Sequence, residues 1–115
     1  MIKIEELRVG NWVYIEGSRQ QIDAIENATA PEKCEVDYTL IKHVHPIPLT
    51  EELLTEKCGF RRNHYGGLYL YGKFDFDLTK EGYFLVDDVG VYCKHLHQLQ
   101  NLYFALTGKE LPVNL

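Results

Sequence analysis

The sequence predicts a β-rich α+β fold, with SH3-like strands at the N-terminus and an antiparallel sheet packed by a C-terminal helix. Three observations carry this expectation. Aromatic and β-branched runs are broken by turn residues, a Pro-bounded segment divides them, and one apolar stripe of helical period lies near the end. The 115 residues suit a single domain, organised as a β half at 1–45, a stiff linker at 46–49 and a helix–sheet–helix half at 50–115.

The N-terminal half opens on a hairpin. Trp12-Val13-Tyr14-Ile15-Glu16 is aromatic and β-branched, Gly17-Ser18 supplies turn chemistry, and Arg19 to Ile25 forms the return strand. Gly10-x-Trp12-Val13-x-x-x-Gly17 followed by a second strand is how many small SH3-like barrels begin. Residues 26–35 are polar, contain Pro31 and show no period, which predicts a loop. A third strand is expected from Val36 to Val44, although its alternation leaves neither face cleanly apolar. It ends at His45, because Pro46 has no backbone donor and restrains its predecessor.

Pro46-Ile47-Pro48-Leu49 delivers the chain to Thr50, whose hydroxyl suits an N-cap. Glu51 and Glu52 then complement the helix dipole, Leu49 and Leu54 fit a hydrophobic staple, and Gly59 stops a helix at 51–58. Leu68–Tyr71 and Phe74–Leu78 form a hairpin around a Gly72-Lys73 turn, with Tyr71 expected opposite Phe74 and Tyr69 opposite Phe76. Strands at Tyr83–Val86 and Val91–Lys94 follow. The last element is a helix from Leu96 to Thr107, striped by Leu96, Leu99, Tyr103 and Leu106 and widened by Leu102. Gly108 closes it. That stripe is expected to cover one sheet face and join both halves in one core.

Composition removes several function classes. Twelve basic against seventeen acidic residues give a net charge of −5, which disfavours non-specific binding to a phosphate backbone. No apolar run approaches the ~20 residues that span a bilayer, and Met1-Ile2-Lys3 opens into charge rather than a signal peptide. Cys34, Cys58 and Cys93 are odd in number and contain no CxxC pair, so reduced thiols in a cytosol are expected.

Three stretches carry a resemblance. They are Glu6-Leu7-Arg8-Val9-Gly10-Asn11-Trp12-Val13, then Pro46-Ile47-Pro48-Leu49-Thr50-Glu51-Glu52-Leu53 with Cys58-Gly59-Phe60, and the ending His97-Gln98-Leu99-Gln100-Asn101-Leu102-Tyr103-Phe104-Ala105-Leu106-Thr107-Gly108-Lys109-Glu110-Leu111. In this order they resemble a group of small uncharacterised proteins encoded by phages and mobile elements of Bacteroidetes bacteria. The resemblance implies a bacterial cytoplasmic, phage-type setting and brings no activity, catalytic residue or ligand. Segments 26–45 and 61–92 lie outside it.

Five groups of residues are weighed for function. His43 and His45 form an H-x-H pair, and Cys93, His95 and His97 form C-x-H-x-H. On a strand, alternate side chains share a face, so either set offers zinc-type ligands. The competing reading is that these are half-exposed imidazoles at strand ends, since the helix starting at Leu96 breaks the shared face. Arg61, Arg62, His64 and Tyr65 mix cations with an aromatic in a loop and suit phosphate contacts; a solvated turn is the commoner explanation of such a loop, and the chain is acidic overall. Tyr69, Tyr71, Phe74 and Phe76 form an aromatic surface suited to anchoring a protein partner. Cys34, Cys58 and Cys93 lack electropositive neighbours and read as structural rather than nucleophilic. The acid pairs Asp75/Asp77 and Asp87/Asp88 read as solvated carboxylates and a turn signal.

No phosphate-binding or nucleophile-elbow motif is present, so no catalytic residue and no cofactor is implied. The function expected is a non-enzymatic protein-binding or accessory module of phage or mobile-element origin, directed at a host or phage protein and not at a membrane. The alternatives are a nucleic-acid-associated accessory protein using the Arg61-Arg62 loop, and a small metal-dependent enzyme built on the histidines.

Overall fold

The chain folds as a β-rich α+β protein. The computed structural model describes residues 2–62, 68–70, 74–78, 84–86 and 91–115, with the backbone alone for the segments between 68 and 86. The chain forms two compact units, one of residues 1–47 with 95–108, the other of 48–94 with 109–115.

The first unit begins with a single 3-10 turn at Ile4–Glu6 and then the strand β1, Trp12–Ile15. β1 alternates half-buried and buried residues, as its aromatic and β-branched sequence requires. It pairs antiparallel with β2, Ser18–Gln21, in a register that opposes Ile15 to Ser18. The turn is therefore Glu16-Gly17 and not Gly17-Ser18. Both residues have positive φ, 51° and 84°, the type I′ geometry whose twist matches that of a two-stranded ribbon.

The third strand expected at 36–44 is corrected to three shorter pieces. β4, Glu35–Val36, reverses at once into β5, Thr39–Leu40, and a 3-10 turn at Ile41–His43 leads into β6, Val44–Pro46. Asp37 and Tyr38 both adopt positive φ, 48° and 64°, so a second tight reversal sits inside the alternating run. An extended strand would have exposed as much apolar surface as it buried. Reversal lets Val36, Ile41 and Val44 all be buried in one cluster with Val13, Ile15, Ile22 and Cys34. β6 returns to β1 and completes the sheet β2-β1-β6, while Ile25–Glu26, as β3, joins β4 and β5 in the sheet β3-β4-β5.

Helix α2, Leu96–Thr107, belongs to this first unit and touches β1. Gly108 ends it in the left-handed conformation, its N–H bonded to the Phe104 carbonyl at 2.8 Å. The buried side differs from the expected stripe. Leu96, His97, Leu99 and Gln100 are buried, whereas Leu106 is 45% exposed. The helix is seated by its first two turns, where Gln100 and its neighbours bond to the 6–12 segment, and not by an apolar face along its whole length.

The second unit begins with α1, Glu51–Lys57. The Leu53 N–H donates to the Thr50 hydroxyl at 3.0 Å, and Leu49 and Leu54 are both buried, as the cap and staple require. Cys58 caps its C-terminus and Gly59 follows with φ 77°. A five-stranded antiparallel sheet then runs β11-β10-β9-β8-β7, comprising Arg61–Arg62 (β7), Leu68–Leu70 (β8), Phe74–Leu78 (β9), Phe84–Val86 (β10) and Val91–Cys93 (β11). The hairpin register is corrected by one residue. Leu70 pairs with Phe74 and Leu68 with Phe76, so Tyr69 falls opposite Asp75 instead of Phe76. In antiparallel pairs directly opposed residues take the same side of the sheet, so this register matches apolar with apolar positions. Leu111 is buried, and the Asn114 N–H bonds the Lys57 carbonyl at 2.8 Å, returning the C-terminal segment to the end of α1.

Candidate functional site

Two features of the first unit break local rules, and each has a definite cause. The first is the Asp37-Tyr38 turn. A bulky side chain at φ 64° is an outlier, because Cβ then crowds the following carbonyl, at a cost of about 1–2 kcal/mol. The turn is held by its neighbour. Asp37 accepts hydrogen bonds from the backbone N–H groups of Asp23 (3.0 Å) and Ala24 (2.8 Å) and from Gln20 Nε2 (2.9 Å), while its own N–H donates to the Ala24 carbonyl. The carboxylate thus ties β2 and the approach to β3 to the hairpin tip. Tyr38 is 84% exposed there and Leu40 38%. The result is an aromatic ring displayed on a braced tight turn.

The second feature is a polar network buried between the two terminal motifs. Asn11, fully buried, bonds through Nδ2 to Asn101 Oδ1 at 2.9 Å, and Arg8 Nε donates to the same oxygen at 3.1 Å. Gln100 Oε1 accepts the Trp12 N–H at 2.8 Å, and Gln100 Nε2 donates to the Gly10 carbonyl at 3.1 Å. Asn101 Nδ2 reaches the Glu6 carbonyl at 2.8 Å, and the Arg8 guanidinium lies 4.3 Å from the centre of the Phe104 ring, a cation–π distance. Buried amides whose donors and acceptors are met in this way specify one docking of α2 on the strand entrance. The motifs at 6–13 and 97–111 are therefore a structural lock.

His97 sits beside that lock and is the exception within it. It is 1% exposed, and neither ring nitrogen has a hydrogen-bond partner. Burial pushes its pKa down to about 4, against an upward pull from the Glu6 carboxylate, whose Oε1 is 3.9 Å from Nε2; stacked His95, 5.8 Å away, adds to the depression. His97 is neutral at pH 7.

The residues singled out from sequence divide as follows. His43 and His45 are exposed, on the 3-10 turn and on β6. His95 caps α2, and Cys93 lies buried in β11, within the other unit. Among the described residues no three His, Cys, Asp or Glu side chains come together as a metal site. His95 and His97 nonetheless stack, with ring centroids 5.8 Å apart.

Arg61 and Arg62 form the edge strand β7 and not a loop, and Arg62 is ion-paired with Glu51 at 2.9 Å. Phosphate contact by Arg62 would have to displace that carboxylate. His64, Tyr65 and Tyr71 lie outside the described residues, and Tyr69, Phe74 and Phe76 are described by backbone register alone.

The cysteines are all buried and unpaired by disulfide. Burial raises the Cys58 thiol to about 12 and Cys93 to about 11, so both stay protonated at neutral pH and neither is an activated nucleophile. Cys34 Sγ accepts the Ala28 N–H at 3.4 Å and serves packing and loop closure. A hollow of about 420 Å³ beside the end of α1 is lined by Lys57, Cys58, Pro112 and Asn114 among others, and the thiol there is this inert one.

Tyr38 was missed in the sequence because it read as one position of a strand. Asp-Tyr carries none of the Asn-Gly or Asp-Gly signature of a I′ turn. No protein-family model, no curated protein and no solved structure matches the chain. Among the described residues no helix is long and apolar enough to cross a membrane.

Proposed function

We propose that the chain is a non-enzymatic protein-binding module whose principal contact residue is Tyr38. One observation carries this reading: an 84% exposed tyrosine is kept in a left-handed conformation that glycine would adopt without strain. Backbone strain is retained where the side chain it presents has a use, and a rigid aromatic offers contact area at small entropic cost. Inert thiols support a binding role over nucleophilic catalysis. The resemblance of the three sequence stretches supports a partner among host or phage proteins of a bacterial cytoplasm.

Photo-crosslinking tests the reading. A benzophenone amino acid at position 38, activated in bacterial cells, is expected to give one dominant protein adduct. An adduct with nucleic acid, or none above that of a probe at exposed Asn27, overturns it.

A further inference from the structure

The sheet β3-β4-β5 has two faces of opposite character. Ile25, Val36 and Thr39 share one row, in which Val36 is fully buried and Ile25 packs on the core. The other row, one residue along, is Glu26, Glu35 and Leu40. Glu26 and Glu35 are directly opposed across the antiparallel pair, and neither has an ion pair among the described residues. Like charges in this position destabilise a sheet. Leu40, the third member, is exposed and two residues from Tyr38. An unrelieved carboxylate pair, an aliphatic residue and a braced aromatic thus occupy one three-stranded sheet and its tip.

We infer that this face docks a basic polypeptide segment in which Lys or Arg alternates with apolar residues. The inference rests on the reading of Tyr38 as a contact residue and names the chemistry of its partner. Charge complementarity selects the occupant. A cation placed between Glu26 and Glu35 converts their repulsion into attraction, Leu40 receives an apolar neighbour, and Tyr38 offers a ring face to a guanidinium. A second copy of this chain, at net charge −5 and presenting the same carboxylates, is repelled, as are nucleic acid and an anionic lipid surface.

The test uses the full chain and a fluorescein-labelled peptide of alternating Arg and Leu, with a Glu-Leu peptide as control, read by fluorescence anisotropy. Binding of the Arg-Leu peptide alone is expected, weakened by added salt. Glu26→Gln and Glu35→Gln should each weaken it about threefold, and the double variant about tenfold. Both positions are on the surface of the sheet, and Glu35→Gln is expected to raise the melting temperature by relieving the opposed pair, which shows the variant folded. Unchanged peptide affinity in the double variant overturns the inference. If Tyr38→Ala then still abolishes binding, the contact role of Tyr38 stands and only the partner chemistry is wrong; if Tyr38→Ala also binds fully, both fall. Amide shifts at Glu26 and Glu35 on adding calcium chloride, without any response to the peptide, would make the face a cation site and equally overturn the inference.

Discussion

Asn101 Oδ1 lies 2.9 Å from Asn11 Nδ2, joining residues 90 apart in sequence at a point where Asn11 has no solvent exposure. The same oxygen accepts from Arg8 Nε, so one amide of α2 satisfies two donors of the N-terminal motif. Removing it leaves the Asn11 amide desolvated without an acceptor. Asn101→Ala is expected to destabilise the protein by about 1–3 kcal/mol, the cost of orphaning a buried donor. Asn11→Ala on top of Asn101→Ala should cost less than it does alone, because the orphaned amide is then gone and only the Arg8 N–H, 2.8 Å from Asn11 Oδ1, still loses its acceptor. Urea unfolding of the double-mutant cycle measures both, and additive effects would show that the pair is not coupled.

His97 makes stability depend on acid. Its pKa is about 4 in the folded chain and 6.5 is the ordinary value, so below 6.5 the unfolded state takes up the proton first. Stability is therefore full above pH 6.5 and declines as pH falls towards 4. A depression of this size corresponds to about 3 kcal/mol. Glu6 and His95 are the titratable groups that act on it, and they oppose one another. His97→Leu removes an imidazole with no hydrogen-bond partner and should leave stability at pH 7 equal or higher. The difference in melting temperature between variant and wild type should widen from pH 6.5 to 4; a constant difference would show that His97 is not the group responsible.

The elements that proved legible are those whose causes are local. Thr50 capping Leu53, the burial of Leu49 and Leu54 on either side of that cap, and Gly108 closing α2 all act within one or two turns, so the letters suffice. Elements set at long range were not legible. Gln100 in a helix reads as a solvated residue until Trp12, 88 positions earlier, is found to need its oxygen. The Asp37-Tyr38 reversal likewise depends on backbone donors at Asp23 and Ala24 that no window around Tyr38 contains. The hairpin at 68–78 slipped by one position for a related reason. The pattern fixed which residues are strand, while loop length decided which of them pair.

The thiols give a direct check on the absence of an activated cysteine. With Cys34, Cys58 and Cys93 all buried, and the pKa of Cys58 near 12 and of Cys93 near 11, Ellman's reagent at pH 8 should react with none of them on the timescale of minutes. All three should react at once in denaturant. A thiol that titrates quickly in the native protein, with a rate that levels off near neutral pH, would reveal a thiolate and reopen the case for nucleophilic chemistry.

Tyr38→Gly is the substitution that separates stability from use. Asp-Gly is a favoured pair for a type I′ turn, and glycine reaches φ 64° without the steric cost that tyrosine bears. The tyrosine ring is 84% exposed, so its removal forfeits little buried area. Glycine enlarges the entropy of the unfolded chain, which offsets part of the gain. The net expectation is a rise in stability of about 0.5–1 kcal/mol, read as a higher urea midpoint at unchanged slope. Asp37→Ala should act in the opposite sense by about 1–3 kcal/mol, since the donors at Asp23, Ala24 and Gln20 lose their acceptor. A more stable glycine variant that no longer crosslinks or binds its partner would show that the ring is retained for contact; a destabilised one would mean that the tyrosine holds the turn and is not displayed by it.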